Sequence, residues 1–69
     1  MSKKFNFFAY LLEAYAVHKG TTASEVMRTL REKDLVEFVY DMYELYHVEA
    51  IENAFADLDS LIATGQPAW

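Results

Sequence analysis

Sixty-nine residues with a net charge of −5 make one domain, small enough to remove only ~60% of its unfolded surface from water, so that association is a common way to bury more. The absence of Cys excludes disulfides and thiolate zinc sites, and no uninterrupted span of ~20 apolar residues exists to cross a membrane. The charge is divided: Lys3, Lys4, Lys19, Arg28, Arg31 and Lys33 all precede Asp34, and the eight acids from Asp34 onward meet no base, a half-chain that repels phosphate.

The opening Met-Ser-Lys-Lys looks like the n-region of a signal peptide. Asn6 and Glu13 interrupt the apolar run after it and no small-residue cleavage site follows, so a cytoplasmic protein is expected. Residues 3–19 read as the first helix. Between Phe5 and Val17 only Asn6 and Glu13 are polar, seven residues apart on one narrow stripe. A helix apolar nearly all round must be buried nearly all round. Three short partner helices cannot enclose it, so part of it is expected to meet a second copy, with Phe7, Tyr10, Leu11 and Ala14 as the self-association candidates. Gly20 is the expected glycine beyond its end.

Thr22-Ala23-Ser24-Glu25 fits a capping box, in which Thr22 accepts from the N–H of Glu25 and Glu25 reaches back to that of Thr22. The second helix covers residues 23–32, with Val26, Met27 and Leu30 inward and Arg28, Thr29, Arg31 and Glu32 outward. After a tight Lys33-Asp34 corner, with Asp34 as N-cap, the third helix covers residues 35–46. Leu35, Phe38, Val39, Met42, Tyr43, Leu45 and Tyr46 recur at helical spacing on its apolar face, and Glu37, Asp41 and Glu44 form an acidic stripe opposite.

The fourth helix covers residues 48–64. Val48, Ile51, Phe55, Leu58 and Ile62 form a narrow seam, with Glu49, Glu52, Asp57 and Asp59 outward. Gly65 ends it and Pro67 prevents its resumption, leaving 65–69 as a tail in which Trp69 packs on the bundle or moves freely. The expectation is an all-α fold, a small four-helix bundle with short connections, forming a single domain over residues 1–69.

The aromatic-rich first helix, Thr22-Ala23-Ser24-Glu25-Val26, Tyr43-Glu44-Leu45-Tyr46-His47 and the acidic-aliphatic Ala56-Asp57-Leu58-Asp59 together resemble a family of short bacterial all-helical domains of unknown function. Some members are encoded beside ADP-ribosyltransferase-type toxins. The resemblance implies an accessory or antitoxin-like binding role and carries over no catalytic residues.

Glu44-x-x-His47 has the spacing of a di-iron helical ligand pair, which a symmetric dimer could double, with Glu13 adding carboxylates. Glu44 belongs to the outward stripe and His47 to a helix end, however, so His47 is expected to fill the corner between the third and fourth helices. His18, late in its helix, is placed to satisfy terminal carbonyls. No metal and no cofactor are expected. No Ser or Thr has an evident His–acid pair, and Gly20 and Gly65 are too isolated to cradle a phosphate, so no enzyme is expected.

The reading that remains is a non-enzymatic protein–protein interaction module, self-associating as a homodimer or higher oligomer. Glu37, Tyr40, Asp41 and Glu44 would meet a basic protein partner, with Tyr40 as anchor between core face and acidic stripe. The alternative is a small DNA-binding transcriptional regulator that places the second helix in the groove, using Arg28, Arg31, Lys33 and Lys19. Four cations beside eight acids make a thin footprint for nucleic acid.

Overall fold

The computed structural model describes residues 2–69, and their regular secondary structure is helical throughout. The first helix, α1 (Lys3–Lys19), begins where the Ser2 hydroxyl accepts from the N–H of Phe5. It ends at Gly20 in the left-handed conformation. There the Thr21 and Gly20 N–H groups bond to Ala16 and Val17, the paired closure of a Schellman motif. α2 (Ala23–Glu32) begins at Thr22, whose hydroxyl accepts from Glu25 N–H at 3.2 Å. The Glu25 carboxylate pairs with Arg28, so the capping box is formed on the threonine side.

Asp34 does not cap the helix that follows it. Its φ is +58°, its N–H bonds to Arg31 and that of Leu35 to Leu30, which makes it the left-handed terminator of α2. Aspartate tolerates that conformation because its short side chain bonds locally. The residue before the next helix is Leu35, which supplies no side-chain cap.

The expected third helix is two, α3 (Val36–Asp41) and α4 (Tyr43–Tyr46), divided at Met42. Around the break the Met42 and Leu45 N–H groups bond three residues back, to Val39 and Met42. Val36 and Val39 are β-branched and Phe38, Tyr40, Tyr43 and Tyr46 aromatic, a composition with little intrinsic helix preference. The break redirects the faces: Val39 and Tyr46 are buried, while Phe38 and Leu45, expected inside, stand partly exposed.

α5 (Ile51–Thr64) starts a turn later than the seam implied, and Val48 is 70% exposed in the connection. Its buried face is Ala54, Asp57, Leu58 and Leu61, with Ile51, Phe55 and Ile62 at the margin. It ends at Gly65, left-handed, with a single bond from its N–H to Leu61.

All five helices feed one core. Phe8, Leu11, Leu12, Tyr15 and Ala16 of α1 meet Val26 and Leu30, Val39, Tyr46, and Ala54, Leu58 and Leu61. The radius of gyration, 10.9 Å, matches the ~11 Å of a compact chain this long. α1 packs against α2, α3 and α4, and reaches α5 through Tyr15 and His18, whose rings lie against Phe55. Among the described residues no helix is long and apolar enough to cross a membrane.

Asp34→Gly tests the corner. Glycine takes positive φ without strain, so thermal unfolding should show stabilisation of about 0.5–1 kcal/mol. A loss of stability would mean that the carboxylate serves as an N-cap after all.

Candidate interaction surface

Glu37, Asp41 and Glu44 are exposed along α3 and α4, so these two short helices share one acidic stripe despite the break. Lys4 reaches it: its Nζ lies 2.9 Å from Asp41 Oδ1 and 4.8 Å from the centre of the Tyr40 ring. The Asp41 contact, chiefly as a hydrogen bond, raises the Lys4 ammonium above its ordinary pKa. Both partners are solvated, so water screens the pair and it adds little to stability.

Tyr40 is half-buried, its ring edge-on to Phe8 at 5.4 Å and overlaid by Lys4. It is part of the protomer's own packing. The apolar side chains that stand beside the acids with surface to offer are Phe38 and Leu45, each 39% exposed. Sequence periodicity had placed both in the core, because it assumed one unbroken helix.

The self-association candidates separate. Leu11 has no exposed surface at all and is a core residue, so it cannot meet a second copy without unfolding. Tyr10 is exposed, and Phe7 and Ala14 are half-buried. Val17, 80% exposed, extends the row Phe7, Tyr10, Ala14, Val17 at steps of three, four and three along one side of α1. Phe7 continues it laterally, edge-on to Tyr43 at 5.7 Å.

His47 stacks on Tyr43 with ring centres 4.2 Å apart, and its Nδ1 lies 2.6 Å from the Tyr43 carbonyl oxygen, which accepts from it. The histidine therefore closes α4 at the corner before α5. Among the described residues no three His, Asp or Glu side chains gather as a metal set. The hydroxyls of Thr29, Ser60 and Thr64 donate to backbone carbonyls and not to a base.

Two of the acids expected on the outer face of α5 have specific partners. Asp59 is exposed but accepts from the Tyr15 hydroxyl at 2.6 Å and pairs with Lys19 at 3.1 Å. Those contacts, the tyrosine first, hold its carboxyl below the ordinary range, while burial and Asp59 push the Tyr15 phenol up. Asp57 does not face outward: it is 5% exposed, and its two oxygens accept from Ala68 N–H at 3.2 Å and Trp69 Nε1–H at 2.8 Å. The tail therefore folds back on α5. These donors lie eleven and twelve residues beyond Asp57, past the helix end, where helical spacing carries no signal.

The Tyr15–Asp59 bond sets a pH dependence. Because the folded pKa of Asp59 is depressed, its contribution is complete above the unfolded value of 3.8 and is lost as pH falls through the lower folded value. Tyr15→Phe should therefore destabilise by about 1 kcal/mol at neutral pH, and by less at an acid pH well under 3.8. Urea titrations at the two pH values measure the difference. An equal loss at both would remove the ionised carboxylate from the account.

Neither the curated proteins nor the solved structures hold a match to the chain. A family model described as "Protein of unknown function (DUF3791)" matches residues 6–64, which takes in all five helices but the start of α1 and leaves out the tail. The chain belongs to that family of unknown function.

Proposed function

We propose that this protein is a non-enzymatic, cytoplasmic interaction module that binds a cationic protein partner through α3 and α4 and self-associates through α1. The observation that carries the reading is the juxtaposition of exposed Glu37, Asp41 and Glu44 with partly exposed Phe38 and Leu45. Acidic groups speed encounter and select against wrong partners, and apolar anchors beside them supply most of the affinity. Tyr40, held against Phe8, forms a rigid shoulder of the face. An antitoxin-like or accessory role, which the resemblance noted above implies, is one form such a module takes.

Self-association rests on Phe7, Tyr10, Ala14 and Val17. A face with a tyrosine and a valine largely in water, on a domain with so small a core, gains by pairing with its own copy. The alternative, a DNA-binding regulator, draws less support: Arg28 of α2 pairs with Glu25, which thins an already sparse basic face.

Capture of the partner from the native host, followed by association kinetics at two salt concentrations, tests the first half. Glu37→Lys with Asp41→Lys should slow association several-fold and flatten its salt dependence, while Phe38→Ala should instead raise the dissociation rate. Unchanged association of the charge-reversed protein would make the acids mere solvation. For the second half, sedimentation at tens of micromolar should give a dimer or higher species that Tyr10→Asp and Val17→Asp dissociate. A clean monomer of 8.0 kDa would sink that claim.

A further inference from the structure

Asp57 is the deeply buried acid among the described residues, and none of their cations pairs with it. Its oxygens are met by two neutral donors, the Ala68 backbone and the Trp69 indole. Close to it lies Tyr46, 2% exposed, whose buried hydroxyl faces the carboxylate without closing a hydrogen bond of full geometry. Burial, and then the Asp57 charge, push the Tyr46 phenol up; as a neutral group it brings the carboxylate no positive charge. Beside Asp57 opens a groove of about 400 Å³ lined by Leu45, Glu49, Asn53, Ala56, Ala68 and Trp69. Trp69 is itself 72% exposed, so the indole is tethered by its N–H and not packed in.

A buried carboxylate is best matched by a planar donor group that also carries positive charge, and guanidinium has both properties. The apolar wall suits the methylene stem of such a side chain, and an indole offers a face on which guanidinium stacks. We propose that this groove is a docking site for an arginine side chain of a partner protein, and that residues 68–69 are its resident self-ligand, displaced from Asp57 when the arginine enters. Gln66 is held to Ser60 and Thr64, so Pro67 is the short link beyond which Ala68 and Trp69 would leave Asp57. The inference deepens the reading of α3 and α4 as a face for a cationic partner, since Leu45 belongs both to that face and to the groove.

The probe is the blocked tripeptide acetyl-Ala-Arg-Ala-amide, with its citrulline and lysine counterparts as controls. Trp69 is the chain's one tryptophan, so its indole N–H resonance reports the Asp57 bond without ambiguity. The arginine peptide should shift that resonance saturably, the lysine peptide several-fold more weakly, and the citrulline peptide not at all. Asp57→Asn should abolish the response. Because Asp57 is buried and its replacement risks unfolding, Trp69→Phe provides the second arm. It keeps an aromatic face for stacking but removes the indole donor that competes for Asp57, and should tighten arginine binding several-fold, read at the amides of Leu45, Asn53 and Ala56. No saturable shift, equal responses to arginine and citrulline, or unchanged affinity in Trp69→Phe would overturn the proposal. Such a failure leaves the partner kinetics of the Glu37 and Asp41 variants untouched, so it is distinguishable from failure of the broader reading.

Discussion

The burial of one side of α1 is the constraint on which the rest of the molecule depends. Leu11 is fully enclosed, and Phe8, Leu12, Tyr15 and Ala16 are nearly so, with every other helix contributing to the enclosure. Each large apolar side chain taken from water contributes about 1.5–3 kcal/mol, whereas each exposed ion pair contributes less than about 1. The core therefore decides the fold, and the charged surface is free to be arranged for other ends. Because α1 is apolar on its remaining sides as well, enclosing one side leaves Phe5, Tyr10 and Val17 in water.

That same geometry partitions the charge. The cations travel with α1, α2 and the corner that follows, together with Glu13, Glu25, Glu32 and Asp34, whereas from α3 onward the chain carries acids and no Lys or Arg. Two lysines of α1 reach across, Lys4 to Asp41 and Lys19 to Asp59, and these pairs tie the two ends of α1 to the acidic half. They neutralise little of it: Glu37, Glu44, Glu49 and Glu52 remain exposed. A field of one sign beside partly exposed Phe38 and Leu45 is what a cationic partner would find complementary.

Features that are local in sequence were legible in it. Helices α1 and α2 have the expected bounds, because Thr22 and Gly20 do their work within one turn. The Ser2 cap had the right residue type in the right place and was overlooked. Asp34 was misassigned because the same short acid serves at either end of a helix, and only its φ distinguishes the two. Phe38, Leu45 and Val48 were placed inside by a repeat that assumes straight, continuous helices, which the turn at Met42 and the late start of α5 both violate. Asp57 was beyond reach for another reason: what holds it inward is a tail that returns over the helix. The candidate surface was thus legible in its acids, which are exposed as the spacing implied, and illegible in its apolar anchors.

The most direct measurement of the central claim is amide hydrogen exchange on the protein alone and bound to its captured partner. Binding through the acidic face predicts slowed exchange across α3 and α4, from Val36 to Tyr46, with α2 unchanged. Slowed exchange confined to α2, around Arg28 and Arg31, with α3 and α4 unaffected, would contradict it.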